Sequence, residues 1–149
     1  WIMVAVLLLI VFLTRNRWLP YIGFETSTRP VTRRIYLAGG ELTADQLPND
    51  IIAEVLNAWR AGHKREALSL LYRGSVFAAV TEHGVRLPRS ATEGACIRAV
   101  AAQTDAARSG FFRRVVHVWV RCAYGDQDPA DDAVLPLCSE WPQHFGSAR

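Results

Sequence analysis

The chain opens on "WIMVAVLLLIVFLTRNRW", in which residues 1–13 carry no charge and Arg15, Arg17 and Trp18 follow at once. So apolar a run has to leave water, either in a bilayer or in a protein core. A hydrocarbon layer about 30 Å thick takes about 20 residues of helix at about 1.5 Å each, more than this run supplies. Because the first residue is Trp1, residues 1–18 are expected to be the C-terminal part of a transmembrane helix with its basic flank, the first turns lying upstream. A signal peptide would put positive charge before the apolar stretch and small residues after it. Here the arginines come after it, and Trp18 and Tyr21 suit a membrane–water interface. A buried helix of a soluble domain is the alternative that the run leaves open.

The formal charge of +3 is made beside that run. In residues 1–40, Arg15, Arg17, Arg29, Arg33 and Arg34 oppose Glu25 alone, whereas residues 41–149 hold twelve basic and thirteen acidic residues. Positive residues flanking a spanning helix stay on the cytoplasmic side, so the body of the chain is expected in the cytoplasm, with Arg15, Arg17 and Trp18 as its membrane flank. A nearly neutral body lacks the basic face that a nucleic-acid site needs, and no nucleic-acid partner is expected. Cys96, Cys122 and Cys138 are odd in number and widely spaced, which reads as reduced thiols rather than a disulfide framework.

Residues 19–47 mix Pro, Gly, Ser and Thr with few periodic apolar positions, so they are predicted to be a juxtamembrane linker with one short strand-like piece around Ile35 to Leu37. Residues 48–149 then read as one helical domain with a modest core. Pro48 opens a first helix in which Ile51, Ile52, Val55, Leu56 and Trp59 recur at helical spacing until Gly62. A second helix, from about His63 to about His83, carries the widest apolar stripe and should be the centre of the core. Ser90-Ala-Thr-Glu93 fits a capping box that opens a third. The fourth, residues 105–124, is apolar nearly all round and should cross the interior. Asp128 and Pro129 are expected as N-cap and first-turn residue of a last helix that Pro136 and Pro142 interrupt. Nothing alternates long enough to demand a sheet, so the fold class is all-α, a small helical bundle behind the truncated transmembrane helix and linker.

Chemistry is sparse. The three cysteines with His63, His83, His117 and His144 are raw material for a Cys/His pair or a metal site, but His117 and Cys122 lie about 140° apart round a helix. Asp126, Asp128, Asp131 and Asp132 suggest calcium until Pro129 and Ala130 interrupt the alternation that a calcium loop needs; helix capping explains them. No catalytic residue, metal or cofactor is expected. Arg73, beside Tyr72 within an apolar helix, is costly unless paired, so it should hold a carboxylate or backbone carbonyls. Tyr124 should bury its ring and satisfy its hydroxyl locally. As a functional alternative, Arg73 and Tyr124 line a peptide-binding groove.

"AGHKREALSLLYRG", a helix end, a glycine turn and a second helix with Glu66, Ala67, Leu70 and Leu71, looks like one tetratricopeptide unit, although such units need neighbours. Residues 57–145 as a whole resemble the bacterial family called domain of unknown function 4129. Glu66, Ala67, Leu70, Leu71, Tyr72 and Arg73 match its "EA-x-x-LLYR" helix, Thr92 and Glu93 match its "T-x-x-E" start with shortened spacing, and Tyr124 and Gly125 match its "Y-G" helix end. The resemblance implies the cytoplasmic tail of a bacterial transglutaminase-like or related membrane protein, encoded beside a MoxR-type AAA ATPase. It implies a location at the bacterial cytoplasmic membrane and no catalytic residue in this part. The expected function is non-catalytic docking or scaffolding, with that ATPase as partner. A purely structural tail and a cryptic Cys/His hydrolase are the alternatives.

Overall fold

The computed structural model describes residues 34–37, 40–125 and 127–146. The expected membrane segment, with Arg15, Arg17 and Trp18, lies outside the described residues, as do most of the expected linker and Asp126. Among the described residues, no helix is long and apolar enough to cross a membrane.

The described elements run β1 (Ile35–Leu37), β2 (Gly40–Leu42), one turn of 3-10 helix at Ala44–Gln46, α1 (Ile51–Arg60), α2 (Lys64–Thr81), α3 (Glu93–Gln103), α4 (Ala106–Tyr124) and α5 (Asp131–Phe145). The chain is mostly helical, as the periodicity predicts. Helix α2 is the centre: it buries residues over most of its circumference and packs on α1, α4 and α5. Gly74 lets α1 approach, because a Cβ there would sit 2.8 Å from Ile51 Cγ2. The turn between α1 and α2 closes with the N–H of Gly62 on the Trp59 carbonyl and that of His63 on the Ala58 carbonyl. These are the two bonds of a Schellman stop, and they need Gly62 at φ +82°.

Helix starts follow short polar side chains, but not always the expected ones. Asp50 accepts from the Ala53 N–H at 2.9 Å, and Asp105 from the Arg108 N–H at 2.8 Å. Helix α3 is capped by Thr92, which accepts from the Ala95 N–H at 3.4 Å, rather than by Ser90. Ser90 sits at φ 54°, and Ala91 bridges to Leu37, so the chain is still outside the helix at both residues. Helix α5 starts two residues later than predicted, with Ala130 at the N-cap. Asp128 instead pairs with Lys64 at 3.4 Å, and Asp131 accepts from the Trp59 indole N–H at 2.9 Å, which fastens α5 to α1 and α2.

Other expectations are corrected by packing. Helix α5 runs through Pro136 and Pro142 without a break. Each proline removes a backbone donor, but burial of Val134, Leu137, Cys138 and Phe145 on the core holds the helix, and the Ser139 hydroxyl bonds the Pro136 carbonyl at 2.9 Å. Helix α4 is amphipathic rather than apolar all round: Phe111, Phe112, Val115 and Val116 are buried while Arg113, Arg114, His117 and Arg121 are exposed. Finally, the described residues at the end of the predicted linker belong to the core. Strand β1, expected at Ile35 to Leu37, pairs antiparallel with β2, and Ile35 and Leu42 face each other, both buried. Three-residue strands are too short to show alternation, which is why β2 escapes the sequence.

Candidate functional site

Ser69, Tyr72 and Arg73 are spaced i, i+3 and i+4 on α2 and so share one face. That face forms the floor of a cleft of about 430 Å³. Strand β2, with Gly40, Glu41 and Leu42, forms one wall; Glu93 from the first turn of α3, and Trp119 and Tyr124 from α4, form the other. Tyr72 and Arg73, adjacent on α2, and Tyr124, at the far end of α4, therefore line one cavity. Trp119, Glu41 and Glu93 join them, and these the sequence does not mark as a site. Trp119 is hidden in an apolar run, and Glu93 reads only as a helix-start residue.

The aromatic floor is rigid. Tyr72 is buried and stacks on Trp119 with ring centroids 6.0 Å apart and planes 8° from parallel. Its hydroxyl donates to Cys96 Sγ at 3.7 Å. Burial, with the Cys96 sulfur beside it, pushes the Tyr72 phenol well above its ordinary range, so it stays neutral. The Trp119 indole N–H finds no acceptor among the described residues.

Among the described residues, Arg73 is held neither by a carboxylate nor by backbone carbonyls, the two expected partners, but by a side-chain amide. It is half-buried, its Nη2 donates to the Gln46 side-chain oxygen at 3.1 Å, and among the described residues no carboxylate forms an ion pair with it. Burial lowers the affinity of its guanidinium for a proton. The two acids of the cleft are engaged elsewhere: Glu41 pairs with Arg34 at 3.3 Å, and Glu93 accepts from the Tyr124 hydroxyl at 3.2 Å. The charge of Glu93, and then that hydrogen bond, raises the Tyr124 phenol above its ordinary value.

Tyr124 corrects a second expectation. Its hydroxyl is satisfied by Glu93, but its ring is 72% exposed rather than buried. It is the last residue of α4 and shares the exposed face of His117 and Arg121, seven and three residues before it. An exposed aromatic at the lip of a half-buried cation suits contact with another molecule.

The cysteines offer a different environment. Cys96 and Cys138 are buried and Cys122 is half-buried, and desolvation raises all three thiols. A nucleophilic thiol needs the opposite shift. Among the described residues, no group of three His, Cys, Asp or Glu side chains comes together as a metal-ligand set.

Comparison of the chain with models of known protein families, with curated proteins and with solved structures finds no match.

Proposed function

We propose that the chain is a non-catalytic docking module whose cleft receives a segment of a partner protein. The observation that carries this reading is the meeting of Tyr72, Arg73 and the exposed Tyr124 in one cavity. Stacked aromatics give such a cavity a preformed floor, and preorganisation reduces the cost of binding. The α1–α2 hairpin serves as a tetratricopeptide-like scaffold for it. The context rests on the sequence: the apolar run at residues 1–13 with Arg15, Arg17 and Trp18 tethers the module to the cytoplasmic face of a bacterial membrane. The resemblance to domain of unknown function 4129 makes a MoxR-type AAA ATPase the partner to try first. The raised thiols weigh against a Cys/His hydrolase.

The test is selection of a random-peptide phage library on the full chain. Enriched peptides are expected to bind Tyr124→Ala about tenfold more weakly, the effect of removing one exposed aromatic anchor. Peptides that bind both chains equally, or no enrichment at all, would count against the cleft as a docking site.

A further inference from the structure

We infer that the segment docked in this cleft is an acidic, extended peptide: it adds a strand to the edge of β2 that no described strand covers and places a carboxylate on Arg73. The inference rests on the docking reading and names the chemistry of its ligand.

Two independent features converge. The first is charge. Arg73 is a half-buried cation answered, among the described residues, by the neutral amide of Gln46. The two acids that line the cleft have other partners, Glu41 in Arg34 and Glu93 in the Tyr124 hydroxyl. A guanidinium presents donors in a planar fork that a carboxylate meets with two parallel hydrogen bonds, and partial burial strengthens such a pair. The second feature is the strand edge. β1 lies between β2 and the bridge to Ala91, so one of its edges is covered by each. The outer edge of β2 has no strand beside it among the described residues. Gly40, Glu41 and Leu42 of that strand also line the cleft that holds Arg73. An edge strand offers its unpaired N–H and C=O groups to any extended chain, and a side-chain pocket beside it supplies selectivity. Here the selective element is a cation, which fixes the sign of the ligand's charge.

The experiment uses the full chain and a random-heptapeptide phage library. Peptides enriched on the wild-type chain are synthesised with their conserved acid, and again with Gln in its place, and each is titrated against wild type, Arg73→Gln and Arg73→Lys. The expected result has three parts. One position is enriched in Asp or Glu; the acidic peptide binds Arg73→Gln at least about tenfold more weakly; and the Gln peptide binds wild type and Arg73→Gln alike. Arg73→Lys should be intermediate, because it keeps the charge and loses the fork. A general loss of fold would weaken both peptides equally, so the comparison separates the two. Peptides that need Tyr124 but show no acidic position, or that ignore Arg73→Gln, would overturn this inference and leave the docking reading standing. No enrichment, or peptides indifferent to Tyr124→Ala, would overturn both. A concentration-dependent dimer of the chain that Arg73→Gln abolishes would put a second copy in the cleft and overturn the assignment to a separate partner.

Discussion

An arginine turned into a protein costs stability unless a counter-charge answers it. Arg73 has an exposed glutamine as partner, and Gln46 would bond water equally well if released. Replacing Arg73 with Met is therefore expected to stabilise the chain by about 1 kcal/mol, read from the urea midpoint, while abolishing selection of acidic peptides. A destabilised Arg73→Met would make the residue a structural one. The sequence points to Tyr72, Arg73 and Tyr124 because a charge or a polar tip in an apolar helix stands out. It misplaces the Tyr124 ring because an aromatic at the end of an apolar run reads as core, although Tyr124 follows His117 and Arg121 by seven and three residues and shares their exposed face. Trp119 is missed for a related reason: in an apolar stretch with no clear polar side, phase alone does not separate cleft from core.

At the scale of elements, the closest helix contact is made by the absence of a side chain. Gly74 faces Ile51, whose Cγ2 and Cδ1 would lie 2.8 and 2.9 Å from a new Cβ. Alanine ordinarily favours a helix over glycine by about 1 kcal/mol, yet overpacking costs about 1–3 kcal/mol. Gly74→Ala is thus expected to destabilise the wild-type chain and to become neutral or stabilising in an Ile51→Ala background, a coupling that a double-mutant cycle measures. Additive effects would show that α1 and α2 do not meet there. Helical periodicity locates all five described helices, but their ends are set by tertiary contacts. Ala91 is held outside α3 by its bridge to Leu37, and the start of α5 is pinned by Trp59 to Asp131. Pro136 and Pro142 break helices when propensity decides; on a face anchored by Leu137 and Phe145, burial decides.

For the molecule as a whole, charge ties α4 to α5 and closes the first turn of α4. Glu140 accepts hydrogen bonds from Arg114 and Asp105 accepts from the Arg108 backbone and side chain, and both carboxylates titrate below their usual values, chiefly because of those bonds. A depressed carboxylate stabilises the fold above its ordinary value and loses that contribution as pH falls through its lowered one. The urea midpoint is therefore expected to decline as pH drops below about 4, and to do so less in high salt, since these pairs are exposed. Tyr72 has the opposite sign: a phenol raised mainly by burial keeps its proton in the folded chain, so stability should also fall as pH rises above about 10. A Tyr72→Phe chain should lose part of that alkaline limb, the raised Cys96, Cys122, Cys138 and Tyr124 keeping the rest.

The cleft lies where the β1–β2 hairpin, α2, α3 and α4 meet, and the exposed stripe of Arg113, His117 and Arg121 runs along α4 on the face that ends in Tyr124. Backbone amide chemical shifts of the full chain, followed while a library-selected acidic heptapeptide is added, choose directly between these surfaces. The account predicts saturable shifts at Gly40, Glu41 and Leu42 together with Tyr72, Arg73 and Tyr124. Shifts confined to Arg113, His117 and Arg121 would contradict it.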